Sequence, residues 1–470
     1  MDCAFSQRKI WGWFCLLAIL AGCARFQPQP LSPQKSAAQF DGRRLDDAGL
    51  RNFMAQNDFT STNWPIQTWD LNSLTLAAFY YHPDLAVARA QWQVALAGVT
   101  TAGARPNPSL SFTPGFDNQI PNNPSPWIIP VTFDLPIETA GKRGLRLAEA
   151  ERAAEAARLG FVSAAWQIRG GVRASLLECR QAGRRADLLE QQLAAQTNLL
   201  RLLRGRFEAG AATKSELTLM EIAGQKTQLD LCDARARQAD ARSRLAEALG
   251  VGLAALEGAN LGFDFPADAP AALTALAARG VALRERADIR GALANYAAAE
   301  ADLRLQLAKQ YPDLHLGPGY AWNTGSAGDN QWSLGLTLEL PLLDQNQGPI
   351  AEAEAQRKLA AAKFLALQAQ VEGQIDRALA AVKVAREQLQ TSAKLSAAEQ
   401  RQEQSVEDQF QAGAGDRVDL LNARLEAASA AITALDNEER MESAVGALED
   451  ALQQPADSLA AVIQKLTAKM

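Results

Sequence analysis

Few residues of this chain are placed to do chemistry. Its two histidines, His82 and His315, lie 233 positions apart with no partner at metal-ligand spacing, so each reads as a surface or packing residue and no metal site is legible. Gly141-Lys142-Arg143 lacks both the upstream Gly and the Ser or Thr of a phosphate-binding loop, and no Gly-x-Ser-x-Gly or Cys and His nucleophile pattern occurs. The expectation is no enzyme and no cofactor. What remains is thiols and carboxylates. Cys23 ends the run Leu20-Ala21-Gly22-Cys23, behind Arg8, Lys9 and the apolar stretch Ile10 to Leu20, which has the form of a signal peptide over residues 1–22. Cys3 and Cys15 belong to that leader. Cys179 and Cys232 remain, 31 residues before and 22 residues after a turn near Gly210. On paired helices that is an axial offset of roughly 13 Å at ~1.5 Å per residue, too far for a disulfide, so two separate thiols are expected.

The carboxylates of interest sit in a stretch that occurs twice. Phe207-Glu-Ala-Gly210-Ala-Ala-Thr-Lys-Ser-Glu216-Leu217 returns 203 positions later as Phe410-Gln-Ala-Gly413-Ala-Gly-Asp-Arg-Val-Asp419-Leu420. Each copy interrupts a long Pro-free, Ala-rich run, so each reads as the tip of a helical hairpin, and a repeat at this level recasts the whole fold. Gly210 and Gly413 let the backbone turn with positive φ and let another helix approach. Thr213-x-x-Glu216 and Asp416-x-x-Asp419 both fit helix N-capping patterns, while Asp416 and Asp419 also supply negative charge at the second tip alone. Capping and an ion-attracting role are both open for them.

The elements that carry the tips follow from periodicity. Residues 137–265 and 350–454 contain no Pro. Lys142 to Arg206 would be about 100 Å long as one helix. Phe364, Leu367, Val371, Ile375, Ala378, Val382, Ala385 and Leu389 step by threes and fours at a mean near 3.5, a coiled-coil seam. Gly170-Gly171 predicts a bend. Ahead of each long helix lie two alternating segments: 108–113 and 127–136 in the first half, 312–317 and 332–341 in the second, each pair reading as a hairpin. Their length suits a tilted strand crossing a bilayer, with Trp127, Trp322 and Trp332 where an aromatic girdle would lie, and soluble hairpins share the same pattern. A helical pattern precedes each pair, from Leu71 to about Gly98 and from Leu283 to Lys309. The domain reading is a polar linker over 23–70, headed by whatever Cys23 carries, a first repeat over 71–250, an inter-repeat segment over 251–280, a second repeat over 281–445 and a terminal segment over 446–470. With 21% charged residues and a net charge of -6, the chain has no electrostatic footprint for nucleic acid. Four strands cannot close a membrane barrel, so strands in a membrane would require further copies of the chain.

Two resemblances follow. Leu20 to Cys23 resembles the lipobox of bacterial lipoproteins, which implies that Cys23 is acylated and, with Ala24 after it, sorted to the outer membrane; an ordinary signal peptide with an incidental Cys is the alternative. The duplication, four strands, paired long hairpins and Phe-x-Ala-Gly tips resemble TolC-type outer-membrane efflux factors over essentially the whole mature chain. Leu135-Pro136-Ile137-Glu138-Thr139-Ala140-Gly141-Lys142-Arg143 is similar to the strand-to-helix junction of the cobalt, zinc and cadmium branch. The family implies an α+β membrane protein in which three protomers build a 12-stranded outer-membrane barrel continuous with a periplasmic tunnel of helical hairpins. It implies a passive exit duct for heavy-metal cations, with drugs or other organic compounds as the alternative cargo. The implied partners are two further copies of the chain, a periplasmic adaptor, an inner-membrane pump of the resistance-nodulation-division type and outer-membrane lipid. Phe207, Gly210, Phe410 and Gly413 match the adaptor-docking motif, and Asp419 falls on a position that narrows the mouth, with Asp416 beside it; Asn422, where a second acid is expected, departs from the pattern. A lipid-anchored periplasmic scaffold of coiled coils is the reading from a different class.

Overall fold

The computed structural model describes residues 25–57, 59, 64–116, 127–265, 274–323 and 330–454. Cys23, most of the two loops between alternating segments, Pro266, Pro270 and Pro455 lie outside them. The chain divides into a short N-terminal unit, residues 1–43, and a main unit, residues 44–470. The first holds α1 (Pro33–Asp41), started by Pro33 at a position where its missing N–H costs nothing, with no buried residue.

The main unit begins with α2 (Ala48–Gln56), where Asp47 accepts from the Gly49 N–H at 2.6 Å and Leu50 and Met54, one turn apart, are buried. The polar linker expected over 23–70 thus carries two helices. Its prolines suggested irregularity, but Pro33 sits where Pro favours a helix. Trp69 then exchanges backbone hydrogen bonds with Asn260 and Gly262, tying this segment to the stretch between the repeats.

The helical pattern from Leu71 is two helices, α3 (Leu71–Tyr81) and α4 (Pro83–Ala102), parted at His82, which precedes Pro83 and is extended. Its counterpart is α7 (Ala275–Glu285) and α8 (Ala287–Ala308), parted at Arg286 without any proline. There the break is held by Arg286, buried, whose Nη1 donates to the Ala451 carbonyl at 2.6 Å while Nη2 pairs with Asp288.

The long helices are α5 (Lys142–Glu208), α6 (Lys214–Leu249), α9 (Gln347–Gln411) and α10 (Arg417–Leu452). α6 ends on Gly250 at φ 72 and α10 on Gln453 at φ 51, again 203 positions apart. Near the strands α5 packs against α4 and α8; toward the tips it packs against α6 and α10, and α9 pairs with α10. The expected seam is the core of the second hairpin: Val371, Ile375, Ala378, Val382 and Ala385 are buried, with Phe364, Leu367 and Leu389 packed against them. Gly170-Gly171 interrupts no helix. A side chain at Gly170 would press on the Asp450 carboxylate of α10 at 2.9 Å, so that glycine marks a close approach. α10 also runs on to Leu452, into the segment expected to break the pattern.

The strands are β1 (Ser109–Phe112), β2 (Gly115–Phe116), β3 (Trp127–Ile137), β4 (Leu314–Asn323) and β5 (Gln331–Leu338). They form one antiparallel sheet in the order β1-β3-β4-β5, with β2 continuing beyond β1 along β3. The two expected hairpins are therefore joined through β3 and β4, a pairing between the halves that local patterns cannot announce.

Candidate functional site

Paired residues of neighbouring strands point to the same face of a sheet. From the register, Phe133 and Leu110, Val131 and Tyr320, Ile129 and Trp322, Leu316 and Leu336, and Tyr320 and Trp332 share one face. The opposite face holds Ser111 with Thr132, Ser109 with Asp134, Gly317 with Gly335, and Gly319 with Ser333. One face is thus apolar and aromatic, the other small and polar, with His315 Nδ1 at 3.0 Å from Asp134 on it. The apolar face is bare: Trp332 is 83% exposed, Leu334 75% and Leu336 65%. A patch of this kind marks contact with lipid or protein. β3 has 11 residues and β4 has 10, the span of a tilted transmembrane strand, and Phe116, Trp127, Trp322, Tyr320 and Trp332 gather at the end away from the long helices. Among the described residues no helix is long and apolar enough to cross a membrane, which says nothing of the sheet.

The junction that carried the branch resemblance locks sheet to helices. Ala140 and Gly141 turn the chain at φ 51 and 69, and Lys142, first residue of α5, is buried. Its Nζ donates to the Tyr311 carbonyl at 2.6 Å and to Asp313 at 2.8 Å. The Thr139 N–H donates to Asp313 at 2.9 Å, and Arg146 pairs with Glu138. Lys142 and Thr139 therefore fasten the start of the first long helix to the start of β4 in the second repeat.

At the tips Gly210 and Gly413 adopt φ 71 and 74, and Phe207 and Phe410 are both exposed. In the first tip Thr213 and Glu216 form a reciprocal capping box at 3.2 and 2.9 Å. The second tip is only half of one. Asp416 caps the Val418 N–H at 3.2 Å, and Asp419, a methylene shorter than Glu, makes no return bond among the described residues. Asp416 instead accepts two hydrogen bonds from Arg206 Nη2, at 2.5 and 2.6 Å, joining the second tip to the end of α5. That guanidinium, with the Val418 N–H, holds the Asp416 carboxyl below the usual carboxylate range. Asp419 stays exposed one turn into α10. The two acids proposed from sequence for one role thus have different surroundings.

A ladder of ion pairs between α5 and α10 escaped the sequence reading. Arg173 lies 3.7 Å from Glu449, Arg184 is 3.2 Å from Glu438, and Arg180 pairs with Glu442. Arg169 is fully buried, 3.3 Å from Glu449. Arg206 and Asp416 lie at the same register. The signal was present: Arg173, Arg180 and Arg184 step by 7 and 4, and Glu438, Glu442 and Glu449 step by 4 and 7, complementary for antiparallel helices. Cys179, buried, and Cys232, exposed, stand as separate thiols.

A one-faced apolar sheet continuous with paired hairpins defines the class, and comparison with known proteins agrees. The model of the outer membrane efflux protein family matches residues 78–251 and 279–453, and the chain belongs to that family. Each matched segment contains one tip, residues 207–217 in the first and 410–420 in the second. The chain is 30% identical over 246 residues to the cobalt-zinc-cadmium resistance protein CzcC of Cupriavidus metallidurans, a match covering 50% of this chain and 55% of the relative, so it spans about half that protein's length. Among solved structures, VceC of Vibrio cholerae superposes with a TM-score of 0.66 at 19% identity, over 82% of this chain and 97% of that one. CusC gives 0.65 at 17% identity over 84% and 95%. The open state of the Neisseria gonorrhoeae MtrE channel gives 0.63 at 17% identity over 82% and 89%. At these identities the likeness is one of fold.

Proposed function

We propose that three copies of this chain form an outer-membrane channel, a passive exit duct that receives cargo from an inner-membrane pump of the resistance-nodulation-division type through a periplasmic adaptor. The carrying observation is the sheet. Its apolar face needs lipid, its polar face needs water, and its two edges, β1 with β2 on one side and β5 on the other, need strands. One copy contributes four strand positions, below the 8 or so that close a barrel, whereas three contribute 12. The hairpins below continue the wall into the periplasm, and the tips line its inner mouth. In this reading Phe207, Gly210, Phe410 and Gly413 form the surface on which the adaptor's helices dock, and three copies of Asp419 ring the mouth with negative charge. Asp416 serves beside it as cap and as partner of Arg206. Cys23 carries the lipid that tethers the chain to the outer membrane.

Membrane fractionation of the Cys23→Ser variant tests the channel. A barrel requires detergent for extraction even without its lipid; release into the soluble fraction would remove the channel and leave an anchored scaffold. Cargo is proposed as heavy-metal cations, supported by the similarity to CzcC and by the junction at Leu135 to Arg143. Accumulation of labelled zinc and cobalt in a deletion strain, measured beside sensitivity to a panel of organic drugs, decides it: drug sensitivity without metal accumulation would replace the cation reading.

A further inference from the structure

The chain's two histidines stand in opposite tautomers. His82 caps α4: its Nδ1 accepts from the Asp84 N–H at 3.2 Å, so the ring hydrogen lies on Nε2 and no lone pair is left over. His315 is turned the other way. Its Nδ1 lies 3.1 and 3.0 Å from the two carboxylate oxygens of Asp134, and a carboxylate can only accept, so Nδ1 carries the hydrogen. The lone pair is then on Nε2, which has no hydrogen-bond partner among the described residues. The two side chains are 41% and 42% exposed, so solvent and small ions reach them. Metal-ligating histidines use this arrangement, in which an acid fixes the ring and raises the basicity of the other nitrogen.

We propose that His315, held by Asp134, is a weak binding site for a divalent transition-metal cation such as zinc, placed where the helical part of the duct meets the strands. His315 is the second residue of β4, at the helix end of the sheet, and register sets it on the polar face opposite Pro136 and Thr337. It also lines a cavity of about 760 Å³ between the strand ends and the first turn of α5. At about 30 Å³ per water, that space holds a hydrated cation. The charges around it favour one. Lys142 is taken by Asp313 and Arg146 by Glu138, which leaves Glu339 and Asp344 against Lys309, and Asp134 adds to the negative side. Among the described residues no three His, Cys, Asp or Glu side chains are grouped to hold a metal ion, so water completes the coordination and the affinity stays low. Low affinity is what a duct requires, since a cation must leave as readily as it enters. The imidazole nitrogen selects zinc, copper or nickel over magnesium and calcium, which prefer oxygen ligands alone.

This inference rests on the polar face lining a water-filled channel, and the site can be read without transport. Purified full-length protein in detergent is treated with diethylpyrocarbonate, which acylates an imidazole through its lone pair, and labelling of His315 and His82 is followed by mass spectrometry. His315 should label faster than His82. Zinc at about 1 mM should slow labelling of His315 about fivefold or more, magnesium at the same concentration should not, and neither should affect His82. Asp134→Ala should raise the zinc concentration for half protection by about 10- to 100-fold. The rate at His82 should stay unchanged in that variant, which shows that the fold is kept. Protection by zinc no greater than by magnesium, equal protection at both histidines, or indifference to Asp134→Ala overturns the site and leaves the channel standing. A Cys23→Ser variant found in the soluble fraction removes the duct, and this proposal with it, whatever zinc does at His315.

Discussion

Gly446 of α10 should be the least replaceable glycine of the long helices. It is buried against Arg173 of α5, itself only 4% exposed. A Cβ at 446 would overlap Arg173 Nη1 and lie 2.8 Å from Cζ. The guanidinium has little freedom, because Nη1 donates to the Glu442 carbonyl at 3.1 Å, Nε lies 3.7 Å from Glu449, and the group sits over the Phe265 ring. Gly446→Ala gains about 1 kcal/mol of helix propensity. Against this stand overpacking, about 1–3 kcal/mol, and a charged hydrogen bond pulled out of line, about 1.5–3 kcal/mol. The net is a loss of about 1.5–5 kcal/mol in the opening of the α5–α10 seam.

Whole-protein melting of a large assembly is not a two-state quantity, so the assay is hydrogen exchange read over residues 442–452 and 169–177, which reports local opening. Exchange should accelerate by roughly 10- to 5,000-fold at about 1.36 kcal/mol per tenfold. Gly171→Ala is the control: it is exposed, nothing lies within 4 Å of its Cβ, and it should slow exchange slightly. Arg173→Met should relieve Gly446→Ala, since Glu449 keeps Arg169 at 3.3 Å and is not left as an unpaired buried charge. Gly446→Ala behaving like Gly171→Ala, or gaining nothing from Arg173→Met, would refute the packing argument.

Three further outcomes follow from the geometry. Cys232 should react with a maleimide in the native protein while Cys179, buried with its thiol pushed up to about 11, reacts only after denaturation; equal native labelling would contradict the packing of α5 on α6. Asp419→Ala should raise single-channel conductance or weaken block by divalent cations, and unchanged conductance and block would remove the charged ring. The Arg206–Asp416 link should withstand mild acid: its carboxyl is held below its ordinary value, so its contribution is complete above the ordinary range and fades only as pH falls through the lowered one. Spin labels at Ala211 and Ala414 should therefore give the same distance at pH 7.5 and at pH about 4, where an ordinary aspartate is already about half protonated, whereas Arg206→Ala should broaden it at both; a change in the wild type between those values would show that the acid titrates normally.

What was legible in the sequence is what repeats locally. The seam from Phe364 to Leu389 could be read because burial follows its 3.5-residue spacing, and the tips because a glycine with positive φ stands at the same place in both copies. The strands showed their alternation but not their partners: β3 pairs with β4 across residues whose separation no local rule measures. The first N-terminal helix was hidden by the proline that starts it. Arg169, Arg173 and Glu449 were hidden differently, as buried charges on helices that composition marks as solvated. Their spacing was visible in each helix separately, and became a signal only once the two helices were known to run side by side.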